Sequence, residues 1–322
     1  MNWTIGFFLF LQSILFAASA SANIKAEVFV SDLENGYSFY EELVPYLAKD
    51  LHAKIRQEHP EVVKVFPDLT RGGAGRRPEH GSGVLVRMAL GIQPWEDPKN
   101  EPPLNEELRL VPLVYADPLP QAYRLAIQHG VFFHNFSVGL DLVPATQDSL
   151  MEMSEVVREN PNAFFITATG NEGRSEAQTL GKFPQLLALS GLPNLLMAGN
   201  SRDLGSQGET LLGDVESPYE IYISNWTESS RFYICLGCAS TTGAAAYLSR
   251  LLASITQNLM KAEVAEPHSS AVASLDSCLP KAWFKMKGPM GERPYFKRSD
   301  DFSKSISSCA LERSAKVHRM RH

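Results

Sequence analysis

Phe164-Phe165-Ile166-Thr167-Ala168-Thr169-Gly170-Asn171-Glu172-Gly173 runs from a short apolar segment straight into a glycine-flanked polar turn. Aromatic and β-branched side chains ended by glycine are the pattern of a strand, so residues 163–169 are predicted as one. The Gly170-Asn171 pair is equally the chemistry of a tight turn, and an Asn amide held there can donate a hydrogen bond to a developing oxyanion.

The same alternation extends outward from this stretch. Upstream, 131–137 and 108–115 read as strands with a helix at 120–129 between them. Residues 25–31, with Val28, Phe29 and Val30, form a further apolar run that leads directly into Asp32. Tyr40, Leu43, Tyr46, Leu47, Leu51 and Ile55 recur at helical spacing and predict an amphipathic helix over 37–58. His80-Gly81-Ser82-Gly83 opens an apolar helical segment at 84–90, and 93–107 is a Pro- and charge-rich loop. Residues 152–159 read as helix and 192–199 as strand, and a small-residue helix begins at Ser240. Strands alternating with helices imply a three-layer α/β fold with a mainly parallel central sheet and helices on both faces. Reacting groups in such sheets gather at the carboxyl ends of the strands, where Asp32, Ser137 and Asn171 stand.

With 322 residues, 44% hydrophobic and 20% charged, the chain suits one principal globular domain with appendages. An apolar run at 5–16 followed by Ala20-Ser21-Ala22 predicts a signal peptide over 1–22, cleaved near Asn23, and hence a secreted or periplasmic protein. No later stretch approaches the ~20 apolar residues of a transmembrane span. The formal charge of −6 is uneven, because residues 281–322 carry 11 Lys and Arg against 4 Asp and Glu. That basic tail is expected to dock on the acidic body or to meet an anionic surface; nothing resembles a nucleic-acid module. The organisation expected is a main domain over 23–262 and a basic extension over 263–322 without its own core.

Export permits disulfides among Cys235, Cys238, Cys278 and Cys309, and three pairings are open. Cys235-Leu236-Gly237-Cys238 lacks the second C-x-x-C of a zinc site and the βαβ setting of a redox site, so local or tail-directed bridging is the reading adopted. No metal site and no cofactor is identified.

A serine hydroxyl needs a base within hydrogen-bond reach, and that base needs a group that fixes its tautomer. Ser240 lies between small residues at the start of a strong helix, where free N–H groups favour negative charge, although an ordinary helix cap reads the same way. His80 sits at a helix entry beside glycines that allow close backbone approach.

Together these segments resemble the subtilisin family of serine peptidases over most of 28–260. Val28-Phe29-Val30-Ser31-Asp32 is similar to its strand-to-Asp motif, and His80-Gly81-Ser82-Gly83-Val84 to its H-G-T-H-V. Residues 126–139 resemble its helix, strand and S-L-G substrate edge, and Ala168-Thr169-Gly170-Asn171-Glu172-Gly173 its A-A-G-N-E-G. Leu192-Pro193-Asn194-Leu195-Leu196-Met197-Ala198-Gly199 and Ile223-Ser224-Asn225-Trp226 resemble further segments, and Ser240 onward aligns with G-T-S-M-A-x-P. The order Asp, His, Ser is that of subtilisin.

The resemblance implies Ser240 as nucleophile, His80 as general base and Asp32 as the orienting carboxylate. It makes Asn171 the oxyanion donor, with Ser137, Val138, Gly139 and Gly170 along a polypeptide substrate paired as an added strand. It also brings structural calcium into view, but no acidic loop shows the ligand spacing. Asp32-Leu33-Glu34 in place of D-T-G, Cys238-Ala239 in place of G-T, and Ala244 in place of Pro depart from the pattern. These departures favour an alternative, an inactive homologue that keeps the fold without turnover and acts as a secreted binding or scaffold protein. An α/β-hydrolase fits poorly, since no G-x-S-x-G surrounds Ser240.

Overall fold

The computed structural model describes residues 27–32, 41–67, 69, 80–91, 108–114, 116, 118–137, 140–141, 143–171, 182–183, 191–201, 210–211, 215–216, 221–222, 231–238, 240–285 and 290–320. The expected signal segment, 1–22, lies outside them.

The sheet strands are β1 (Glu27–Asp32), β2 (Arg109–Val114), β3 (Phe133–Phe136), β4 (Phe164–Ala168), β5 (Leu195–Ser201), β6 (Thr210–Leu211), β7 (Phe232–Leu236), β8 (Lys281–Lys285) and β9 (Met290–Lys297). They form one nine-stranded sheet in the order β2-β1-β3-β4-β5-β7-β9-β8-β6. The seven strands from β2 to β9 pair in parallel, and β8 turns back antiparallel on β9. Among the described residues, seven α-helices accompany it: α1 (Lys49–Glu58), α2 (His80–Leu90), α3 (Leu119–Gln128), α4 (Pro144–Glu159), α5 (Thr241–Lys261), α6 (Pro267–Cys278) and α7 (Asp300–Met320).

Strand alternation sorts the side chains into two cores. Ile166, Ala168, Leu196, Ala198, Tyr233 and Cys235 face α2, α5, α6 and α7. Phe165, Leu195, Met197, Phe232, Ile234 and Leu236 face α1, α3 and α4. This is the mainly parallel, three-layer α/β architecture read from the sequence.

The central helix α5 is buried along almost its whole length. Ala244, Ala245 and Ala246 give it helix propensity and let it lie close on the sheet. Its end is a Schellman turn: Glu263 takes φ 56°, its N–H donates to Met260 O at 2.9 Å, and Val264 N–H donates to Leu259 O at 3.0 Å.

One expectation requires correction. The helix predicted over 37–58 is broken, with a 3-10 turn over Glu41–Tyr46 that contains Pro45, before α1 begins at Lys49. Proline lacks the N–H that a continuous helix would use there. The segment expected as an extension without its own core contributes its described residues to the sheet and core of the main body. Its strands β8 and β9 extend the sheet, and Ala271, Val272, Leu275, Phe296, Ile306 and Ala310 join the α5-side core. Cys278 and Cys309 are bridged, fixing α6 to α7. No helix among the described residues is long and apolar enough to cross a membrane.

Candidate active site

The parallel strands end along one edge of the sheet, and the residues singled out by sequence collect there. Asp32 closes β1, Ser137 follows β3, Gly170 and Asn171 follow β4, and Ser240 follows β7. Helix α2 runs in the same direction as α5. Arg87 lies beside Gly243, and Met88 and Ala89, next to it in the last turn of α2, accept from Arg250 further along α5, which places His80, the first residue of α2, toward the Ser240 end. For Asp32 and His80 the description extends to the backbone. Val138 and Gly139 lie outside the described residues.

The turn into Ser240 is fixed on three sides. Cys235 and Cys238 are bridged, which settles the C-x-x-C as a local disulfide. Gly237, at φ 79°, donates its N–H to Ser201 O at 2.8 Å, and Asn200 Nδ2 donates to Cys238 O at 3.4 Å. Ser240 then takes extended backbone angles as the N-cap of α5, and its Oγ accepts from Gly243 N–H at 3.1 Å. The oxygen acts there as an acceptor, which leaves the hydroxyl's donor role to another partner. Ser240 is partly exposed.

Asn171 meets the following residue. Its Oδ1 accepts from Thr241 N–H at 3.1 Å and from the Thr241 hydroxyl at 3.0 Å. That hydroxyl in turn accepts from Gly170 N–H at 3.2 Å, and Gly170 adopts φ 97°, a conformation suited to glycine. Thr241 is fully buried with its hydroxyl used both as donor and as acceptor, whereas Ser240 is reachable. The Asn171 amide therefore presents its oxygen, not its NH₂, to the α5 N-terminus.

Ser137 is buried and turned inward. Its Oγ accepts from Asn135 Nδ2 at 2.5 Å, and its carbonyl accepts from the Thr242 hydroxyl at 3.2 Å. Asn135 Oδ1 accepts in turn from the Ser249 hydroxyl at 3.2 Å. This polar chain joins β3 to α5 beneath the site and fixes the strand edge against the helix.

Arg87 is a residue that sequence reasoning passed over. It is buried, and a Cβ built on Gly243 would come within 3.4 Å of its Nε, so the glycine leaves room for the guanidinium next to the Ser240 cap. The signal was a lone cation in the otherwise apolar run Val84-Leu85-Val86-Arg87-Met88-Ala89-Leu90. A buried guanidinium near Ser240 favours negative charge developing there. Among the described residues, the His/Cys/Asp/Glu group close enough to hold a metal ion is Glu58, His59 and His129, away from these strand ends.

No protein-family model matches the chain, and no curated protein matches it. Solved structures do. The subtilase cytotoxin SubAB assembly aligns at 13% identity with a TM-score of 0.54, covering 91% of this chain and 92% of that one. A lanthipeptide protease aligns at 11% identity with a TM-score of 0.48, covering 82% and 85%. The prenylagaramide maturation protease PagA aligns at 16% identity with a TM-score of 0.47, covering 94% and 97%. At 13% identity the likeness to the SubAB structure is one of fold, and it agrees with the parallel sheet and two helical layers described above.

Proposed function

We propose that this protein is a secreted serine endopeptidase in which Ser240 attacks the peptide carbonyl, His80 takes and returns the proton, Asp32 orients the imidazole and Asn171 stabilises the oxyanion. The observation that carries the reading is that Asn171, from the turn after β4, engages Thr241, the residue next to Ser240, at one helix N-terminus. A reachable hydroxyl stands one residue from an amide that arrives from a different strand. Attack would give a tetrahedral intermediate, then an acyl-enzyme as the amine leaves with the proton from His80, and water would release the acid. The positive N-terminal end of helix α5 would favour the developing charge.

The experiment is labelling with a fluorophosphonate probe followed by peptide mapping. The adduct is expected on Ser240 and absent from Ser240→Ala. A folded protein that takes no label from neutral to alkaline pH overturns the proposal.

One observation favours a second reading, an inactive peptide-binding protein. The Asn171 oxygen holds both the N–H and the hydroxyl of Thr241, a structural role that accounts for Asn171 without any oxyanion. Retention of extended peptides without cleavage in a pull-down would select this reading.

A further inference from the structure

Helices α1 and α3 end side by side, and their ends bring together three side chains with metal-binding chemistry. Glu58 is the last residue of α1 and His59 its C-cap; His129 is the C-cap of α3. One ligand atom from each of the three lies within 4.8 Å of the others, and His129 Nε2 stands 4.0 Å from Glu58 Oε2. We propose that Glu58, His59 and His129 form a binding site for a divalent transition-metal ion, with Zn²⁺ as the natural occupant.

The ligand chemistry selects the class of ion. Two imidazoles and one carboxylate suit zinc and its neighbours, whereas calcium and magnesium require oxygen ligands in greater number. Bonds of ~2.0–2.1 Å at a tetrahedral angle set the ligand atoms roughly 3.3–3.4 Å apart, so the present separations close by rotamer adjustment of an exposed Glu and two partly exposed His. Water would complete the shell.

The surroundings match. His59 Nδ1 lies 3.1 Å from Glu61 Oε1, so the ring can donate its Nδ1 proton to that carboxylate and turn Nε2 toward the ion. This is the carboxylate–histidine arrangement that fixes ligand orientation in metal sites. Both helices present their negative C-terminal ends to the site, which adds attraction for a cation. An adverse neighbour is Lys54, whose charge acts on His129.

The site is distant from Ser240. His129 precedes β3, whereas Ser137 follows it, so the ion would sit at the opposite edge of the sheet and clip α1 to α3. Its role would be to stabilise the fold or to bind a metal ion reversibly, and it does not depend on the peptidase reading.

The test uses the tag-free, chelator-treated full chain. Zn²⁺ is titrated by calorimetry, and thermal melts are run with Zn²⁺, with Ca²⁺ and with neither. The expected result is one Zn²⁺ per chain and a rise in Tm that Ca²⁺ does not give. Glu58→Gln and His129→Gln should each weaken Zn²⁺ by about tenfold or more, since even loss of an outer-shell partner costs that much. Glu58 is exposed, so Glu58→Gln remains informative if a histidine variant folds poorly. Zn²⁺ bound with unchanged affinity by Glu58→Gln and His129→Gln, or no saturation at one equivalent, overturns the proposal.

Discussion

Asn171 and Thr241, seventy positions apart in the chain, are joined by two hydrogen bonds, with Asn171 Oδ1 accepting from both the N–H and the hydroxyl of Thr241 at 3.1 and 3.0 Å. The pair fastens the turn after β4 to the first residue of α5. It also sets apart the two ends of the amide, since the oxygen holds the fold together whereas only the nitrogen could donate to the oxyanion of the proposed reaction.

Asn171→Asp is predicted to keep the acceptor and place a negative charge at a helix N-terminus, so stability in urea should change little. Turnover of a peptide substrate should fall by about 10²–10³ in kcat, as expected when one oxyanion donor is lost. Asn171→Ala removes the acceptor as well and should cost about 1–3 kcal/mol of stability. Equal kcat in wild type and Asn171→Asp would remove Asn171 from the mechanism.

Ser240 and Thr241 are expected to respond differently to substitution. Ser240→Ala should abolish probe labelling and cost about 0.5–2 kcal/mol through the lost helix cap, and Ser240→Asp should restore the cap without the label. Thr241→Val should keep the label and lose stability, because Asn171 Oδ1 and Gly170 N–H both lose a partner. Peptide mapping and urea melts on the three variants check this; label on Thr241 would reverse the assignment.

Acid should destabilise the fold through buried histidines. Burial lowers His134 from 6.5 to about 3 and His268 from 6.5 to about 4. His134 Nε2 meets Val131 O at 3.1 Å, and His268 packs on Phe132 and Phe133. Below pH 6.5 the unfolded chain binds protons that the native rings refuse, so this stability is complete above that pH and declines as pH falls toward 4 and then 3. By pH 4.5 the loss is roughly 2–3 kcal/mol for His134, and less for the half-buried His268. Urea melts across pH 7 to 4.5 should show the decline, with a shallower slope in His268→Phe; an identical slope would exclude His268 as a contributor.

The Cys278–Cys309 bridge closes a separation of 31 residues. On chain-entropy grounds, Cys278→Ser with Cys309→Ser should lower stability by about 3–4 kcal/mol. The short Cys235–Cys238 loop constrains the unfolded chain much less, so opening it should act more on probe labelling at Ser240 than on the urea midpoint. Melts and labelling rates on the two double variants separate these effects.

Gly91 sits at φ 70°, and a Cβ there would lie 2.6 Å from Arg250 Cζ. Arg250 donates to the Met88 and Ala89 carbonyls at 3.1 and 2.7 Å, covering the last turn of α2. Gly91→Ala should therefore displace the guanidinium and cost about 2 kcal/mol or more in a urea melt. An unchanged midpoint would show that the turn accommodates a side chain freely.

Period and composition by themselves determined the α/β class, the alternation of buried strands with helices, the start of α5 at Ser240 and the placement of Asp32, Ser137 and Asn171 at strand ends. Those features follow from short-range rules, in which apolar period, glycine and capping residues act within a few positions of one another. Strand β9 escaped that reading because Glu292, Arg293 and Lys297 line it with polar side chains and Pro294 interrupts it, although Phe296 is buried. Only the tertiary structure decided that 263–320 completes the sheet and core, that Asn171 engages Thr241 with its oxygen, that Arg87 lies beside Gly243, and that Glu58 and His59 meet His129. Each of these joins groups far apart in the chain, and their meeting depends on how the layers pack, which no local pattern encodes.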